Sequence, residues 1–431
     1  MENLLVGFAF LTGIIVISSI INEKKTHIPN EIALMIVSFV ISAILIICGK
    51  YGVLNLNIFV INLFKNFKFD NFILECILGF IFFAAASKTH LNKFMKNIIP
   101  IGSIAIVSTI VNAFAYGGLF YLISILLNLN LNFWVCTLLG SLISLADSIP
   151  ACEVLNKNGA SKGITTVIEG ETLFSDGICV AMFIFAKGMV TNATKHNLLI
   201  LLFKEIFGAI VVGLVVSWIL FKLLKMSNNP VLHILISLLT VSTSYVICEH
   251  FEFSGVIACV VAGMYFAYNR RKISRWLEVV DSKEMYDDFW EIVEMLLNSV
   301  LFVLVGLMAL SINVSRELMI LIPIAILINL IARFIGVSVA TLFVGKTNIP
   351  GRYNLKEFVL ILTWTGLRGG TSLAFIMTLK EVLPIETYEI LFSMTMITIL
   401  FTTIVQGLST GKMYRFIEKR REKRIEESIW D

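Results

Sequence analysis

Thirteen apolar runs, separated by short polar segments, divide the chain at 4–21, 31–48, 71–87, 99–126, 133–155, 164–187, 198–221, 231–249, 253–269, 289–312, 317–344, 357–379 and 386–410. Each is near the roughly 20 residues that a helix needs to cross bilayer hydrocarbon, where only helices and closed barrels leave no backbone group unpaired. The alternating ten-residue pattern of a barrel is absent, so the runs predict an all-α polytopic membrane protein of about 13 transmembrane helices. Ile58 to Phe64 is apolar but too short to span and is expected at the interface. The first run lacks a basic leader and a small-residue cleavage site, which predicts a retained helix and not a signal peptide.

Two runs are interrupted. The fifth contains Ala146-Asp-Ser-Ile-Pro-Ala151, with the helix-breaking Pro150, and the twelfth contains Gly366-Leu-Arg-Gly-Gly370. If six spans, a linking span and six more are two inverted repeats, each interruption is fifth in its half. Interrupted segments in matching places point to a binding site near the bilayer midplane, formed by crossing broken helices.

Composition agrees with the pattern: 58% of residues are apolar and 15% charged, which excludes an ordinary soluble domain. The net charge of +4 does not indicate a nucleic-acid partner, because the basic residues lie in short loops and in the tail Lys412 to Arg424. Loops carrying Lys24 and Lys25, Lys88 to Lys96, Lys157 and Lys162, Lys222 and Lys225, and Arg270 to Lys283 fall on one side. By the positive-inside rule that side is cytoplasmic, with the N-terminus outside and the C-terminus inside a cell membrane. Residues 1–411 then form a transmembrane domain and 412–431 a short basic cytoplasmic tail, serving as a topology anchor or as a helix against anionic headgroups. The cysteines lack a Cys-x-x-Cys pair and are expected to be buried thiols. Sequons at Asn192 and Asn313 fall in outside loops.

Charge inside the runs carries the chemistry. Asp176 lies at the centre of the sixth run, within Glu169-Gly-Glu-Thr-Leu-Phe-Ser-Asp-Gly177. An ionised residue there costs roughly 2.5–3.5 kcal/mol on the most lenient scale, so such residues face a cavity and handle ions or protons. At about 1.5 Å per residue, Asp147, Asp176 and Arg368 share a level within roughly 5 Å, with Glu171 about 7 Å nearer the cytoplasm. Three carboxylates against Arg368 leave two negative charges for a cation or protons to neutralise. Helix spacing puts Thr172 one turn before Asp176 and Ser175 one turn after Glu171, adding oxygen ligands of the kind hard cations favour. A cation and a proton competing for the same oxygens is sufficient for antiport. Arg368 is expected to be the counter-ion of Glu171. Glu169 and Glu171 lie toward the cytoplasmic end, where a long side chain can snorkel. Glu291 and Glu294 are expected to cap or funnel at the start of the tenth run, with Asn298 beyond them. Arg333, mid-way along the eleventh, is expected to contact Glu205, headgroups or a dimer interface.

In these residues the chain resembles the monovalent cation/proton antiporters of the sodium/proton exchanger superfamily, in the branch with an Asn-Asp pair in the sixth helix. The resemblance rests on Glu169 to Gly177, on Phe289-Trp-Glu through Leu297-Asn-Ser299, and on Trp364-Thr-Gly-Leu-Arg-Gly370 followed by Ser372-Leu-Ala374. It implies a thirteen-helix inverted-repeat fold, a homodimer, and elevator-like movement of a core bundle against a dimerisation bundle. It also implies a transported monovalent cation (Na⁺ or Li⁺, with K⁺ open), no cofactor, Asp176 as the ion-binding aspartate, Glu171 and Thr172 as cation ligands, and Asp147 as the crossing-helix aspartate. Arg368 matches the arginine that pairs with the glutamate. Two departures stand out: Ala146-Asp147-Ser148 replaces Thr-Asp-Pro, with Pro150 displaced by two residues, and Ser175-Asp176 replaces Asn-Asp. They motivate a second reading, a channel-like or transport-silent descendant. An intramembrane aspartyl protease is set aside because its Gly-x-Gly-Asp signature is missing, so no enzymatic activity is expected.

Overall fold

The computed structural model describes residues 2–50, 77–88, 96–191, 198–277, 280–308, 316–345 and 348–430. Its secondary structure is helical. In chain order the helices are α1 (Glu2–Ile21), α2 (Asn30–Lys50), α3 (Leu78–Lys88), α4 (Ile98–Leu126), α5 (Phe133–Ser144), α6 (Ile149–Lys157), α7 (Lys162–Val190) and α8 (Leu198–Leu224). They continue with α9 (Pro230–His250), α10 (Gly255–Leu277), α11 (Val280–Met308), α12 (Arg316–Val344), α13 (Leu355–Trp364), α14 (Gly370–Met377), α15 (Ile385–Leu400) and α16 (Gly407–Trp430). A π-helical turn, Phe401–Gln406, joins the last two.

Each of the thirteen predicted runs coincides with a helix or a helix pair, the third and the tenth over their described parts, Leu78–Lys88 and residues 289–308. Among the described residues seven helices are long and apolar enough to span alone, or eight if the pair 9–26 and 30–44, bent by 115°, is one span. Two further runs are split at the predicted interruptions, into α5 and α6 and into α13 and α14. The interfacial segment from Ile58 and both sequons lie outside the described residues.

The chain divides into two compact units, one of Met1–Lys68, Lys96–Ala186 and Ser299–Asp431 and another of Phe69–Met95 and Lys187–Asn298. The second is packed around aromatic rings. Phe83 lies 4.7 Å from Trp290 and 5.7 Å from Phe266, and Phe221 lies 5.3 Å from Phe266, centroid to centroid. The indole Trp290 Nε1 donates to Ser237 Oγ at 3.1 Å, giving the buried ring its one polar partner. In the same unit Lys88 Nζ meets Glu294 Oε2 at 2.6 Å, while Glu291 is exposed and Asn298 buried. The five cysteines whose surroundings are described are free, buried thiols.

Both broken pairs, and α7 as far as Ala186, belong to the first unit. Here too backbones approach closely at glycine. A Cβ on Gly140 would strike the carbonyl of Ala113, and one on Gly117 would come 2.6 Å from Thr137 Cα, so α4 and α5 touch main chain to main chain.

Candidate functional site

The site begins with the two interruptions. Helix α5, N-capped by the Asn132 side chain on Trp134 N–H at 3.2 Å, ends at Ser144, and the chain is non-helical through Leu145 and Ala146. Asp147 Oδ1 then accepts the N–H of Ile149 at 3.1 Å at the start of α6, where Pro150 occupies the first turn. Proline is tolerated there because its missing N–H would have no intrahelical partner. Helix α13 stops at Trp364, and Thr365 to Gly369 are non-helical until α14 begins. The two non-helical stretches pair: Asp147 and Leu367 form an antiparallel bridge, with Asp147 N donating to Leu367 O at 2.7 Å. A Cβ on Gly369 would lie 2.9 Å from both Cβ and Oδ2 of Asp147, so only glycine lets the strands meet.

The peptide groups freed by the breaks are satisfied from neighbouring helices. Arg368 N donates to Thr402 Oγ1 at 3.1 Å, and Thr403 Oγ1 donates to Arg368 O at 3.1 Å, two adjacent threonines of the π turn holding both sides of one residue. Ser372 Oγ donates to Leu142 O at 2.9 Å, filling a C-terminal carbonyl of α5. Asn112 Nδ2 reaches Ser144 Oγ at 3.0 Å. Helix ends left without such partners are costly when buried.

The charged residues are set against this crossing. Asp147 sits at the N-terminus of α6, where the helix dipole favours an anion. Arg333, from the middle of α12, donates Nη2 to Leu362 O at 3.2 Å near the C-terminus of α13, where the dipole favours a cation. Its other branch, Nη1, meets Glu171 Oε1 at 2.6 Å, with both side chains 3% exposed. The counter-ion of Glu171 is therefore Arg333, and the expected pairing with Arg368 is corrected. Depth along a helix axis placed Arg368 and Glu171 within reach but could not fix the rotation of α12 that directs Arg333 to Glu171. The expectation that Arg333 contacts Glu205, headgroups or a second copy is corrected by the same bond. Arg368 instead donates Nη2 to Asn329 Oδ1 at 3.2 Å, one helical turn from Arg333 on α12. A Cβ on Gly366 would come 2.6 Å from Arg333 Nε, which explains glycine at that position.

Helix α7 carries the remaining groups. Glu171, Ser175 and Asp176 are buried, Thr172 is half-buried and Glu169 is exposed. The helix is continuous from Lys162 to Val190, so there is no unwound segment at Ser175 to brace. Ser175 Oγ donates to Thr172 O at 3.1 Å and Thr172 Oγ1 to Ile168 O at 3.2 Å. Both hydroxyls give their protons to their own helix and keep oxygen lone pairs for a ligand. Asp176 Oδ1 is buried and accepts no hydrogen bond from any described residue. Asp147 and Glu171 lie within electrostatic range of it. Glu171 is the carboxylate that meets Arg333 and lies within range of Arg368, while the charges within range of Asp176 are Asp147 and Glu171; with both guanidiniums counted, the formal sum is one negative charge where the sequence suggested two.

Sequence reasoning placed Arg333 outside the ion site and missed Asn329, Thr402 and Thr403. Asn329 and Arg333 at i, i+4 in an apolar run, and the Thr402-Thr403 pair inside the last run, were the available signals.

A family described as sodium/hydrogen exchanger, transmembrane, matches residues 6–415. The chain belongs to the sodium/hydrogen exchanger family. Among its exchanger relatives is the Na⁺/H⁺ antiporter NhaP of Pseudomonas aeruginosa, 28% identical over 97% of each chain. Another is the Na⁺/H⁺ antiporter NhaH of Halobacillus dabanensis, 30% identical over 71% of this chain and 73% of that one. The exchanger fold is matched by the sodium proton antiporter MjNhaP1 of Methanocaldococcus jannaschii, with a TM-score of 0.72, 18% identity, and 96% of this chain and 98% of the other covered.

Proposed function

We propose that the protein exchanges a monovalent cation, Na⁺ or Li⁺, for protons across a cell membrane, with Asp176 as the carboxylate that the two share. The observation that carries the site is the buried Oδ1 of Asp176, which no described protein group satisfies. A buried polar atom without a partner costs roughly 1–3 kcal/mol, more for a charged group, and a proton or a bound cation removes that cost. Asp147 faces the same region from the crossing, and Glu171, Thr172 and Ser175 supply further oxygens on α7. Glu171 is already held by Arg333, so its role is to shape and polarise the site beside Asp176. With the five groups ionised their formal charges sum to one negative, which a single monovalent cation or a single proton balances. That balance favours one-for-one, electroneutral exchange.

The membrane reading completes the proposal: thirteen crossings, the N-terminus outside, the basic tail 412–431 in the cytoplasm, and a homodimer whose core moves against a dimerisation bundle. The test is reconstitution in liposomes with an imposed pH gradient, following internal pH as Na⁺, Li⁺ or K⁺ is added. Cation-dependent dissipation by the parent chain, abolished in Asp176→Asn, is the expected result. A current without proton counterflow would replace exchange by channel conduction, and no response to any cation would remove transport altogether.

A further inference from the structure

The last helix reaches beyond what the ion site needs. Thr402 and Thr403 bond the backbone of Arg368, at the middle of the broken pair Leu355–Met377. Half the hydrocarbon is about 15 Å, or about ten residues of helix, so α16 leaves the apolar layer near Lys412. Its remaining turns lie at headgroup level and just beyond.

One face of those turns is fastened to the protein. Tyr353, in the segment before α13, donates its phenol to Glu418 Oε2 at 3.1 Å, so the 2.9 Å contact between Tyr353 and Tyr414 must be a donation from Tyr414. Burial, and then Tyr414 and Glu418, push the Tyr353 phenol up, which keeps it a neutral donor. Arg421 lies over the Tyr353 ring at 4.7 Å and bonds Glu418 at 2.7 Å, and Arg424 Nη1 meets Glu357 Oε1 at 2.6 Å. These contacts fix the rotation of the helix.

The opposite face is thereby set outward. Lys412, Arg415, Phe416, Lys419, Arg420 and Lys423 are all exposed, Phe416 by 56%. At the helical repeat they occupy an arc of about 140°. Arg420 stacks on the Phe416 ring at 4.4 Å, and among the side chains described from Lys412 to Arg424 Glu422, at the margin, is the one acid on this side. Five cations around an exposed ring, beginning where the helix leaves the hydrocarbon, match the charge and layering of an acidic leaflet surface. We propose that this face of α16 docks on anionic lipid headgroups of the leaflet from which the helix emerges. The inference goes beyond exchange and needs only that the helix cross a bilayer.

The experiment places the full chain in phosphatidylcholine vesicles containing a minor fraction of phosphatidylglycerol. Spin-labelled forms of each lipid then report which one is immobilised at the protein. The expected result is a roughly threefold preference for the anionic label that falls toward parity when Lys412, Arg415, Lys419, Arg420 and Lys423 are all changed to Gln, and that high salt weakens. Lys24→Gln with Lys25→Gln should leave it intact. If the five-fold variant misfolds, Lys419→Glu and Lys423→Glu alone give graded losses. A preference unchanged by these substitutions, or equally lost in the Lys24 and Lys25 variant, overturns the proposal. Proton flux measured in the same vesicles is a separate readout, so exchange can fail while lipid preference holds, and the reverse.

Discussion

The two units differ in what their interiors carry. In one, Phe83, Phe221, Phe266, Tyr286 and Trp290 pack as rings, and the indole has a single serine partner. In the other, helices break, peptides cross, and Glu171, Asp176, Arg333 and Arg368 are buried together. An aromatic core gains stability from area and shape, about 3–5 kcal/mol for a large ring lost to alanine. A charged core gains little net stability, because desolvation offsets attraction, yet losing one partner is severe. The contrast separates a region built to stay as it is from one whose groups can change protonation and ligation.

Substitutions can break that contrast. The largest effect is expected from Arg333→Ala, which strands Glu171 without its cation and should cost about 3–5 kcal/mol, read as lost folded yield and a lower melting temperature in detergent. Adding Glu171→Gln should recover much of it, and a double variant no better than the single would remove the ion pair from the account. Trp290→Ala should cost a similar about 3–5 kcal/mol while leaving the order of preference among Na⁺, Li⁺ and K⁺ unchanged. A changed order would tie the aromatic unit to ion choice.

Finer substitutions sharpen the same contrast. Thr402→Val combined with Thr403→Val leaves both peptide groups of Arg368 unpaired, an expected loss of about 1–3 kcal/mol. Because those bonds hold the crossing beside Asp147, the maximal exchange rate should fall more than the apparent cation affinity. Equal stability and rate would make the two bonds incidental. Ser175→Asn should have the smallest effect, since Ser175 bonds its own helix and braces no break. Complete loss of transport in that variant would show that its small side chain is needed beside Asp176.

Much of the charged unit was legible because periodicity is local. Asp176 with Thr172, and Glu171 with Ser175, follow from a four-residue repeat, and Pro150 and Gly366 to Gly370 mark the breaks by their own backbone chemistry. What periodicity cannot give is the rotation of one helix about its axis relative to another. Arg333 and Arg368 lie in different runs at similar depth, and the choice between them depends on that rotation. The π turn was equally hidden, because Phe401 to Gln406 looks like ordinary apolar helix until an extra residue per turn brings Thr402 and Thr403 to the same peptide. The aromatic unit shows the converse: its rings were plain in the composition, but their meeting across α3, α8, α10 and α11 was not.

The bridge between Asp147 and Leu367 is made of main-chain atoms alone. Mutation changes side chains, so point substitutions at these positions cannot delete the bond directly, except where proline removes the donor at 147. The crossing can therefore drift: Ala146 and Ser148 stand where the resemblance led one to expect a hydroxyl and a proline, and the two interrupted helices still join. Natural variation should accordingly accumulate around the bridge sooner than at Gly369, where a Cβ would meet Asp147. The heritable element is the space left by one absent side chain, and motif spelling alone understates how far such a site can diverge while keeping its geometry.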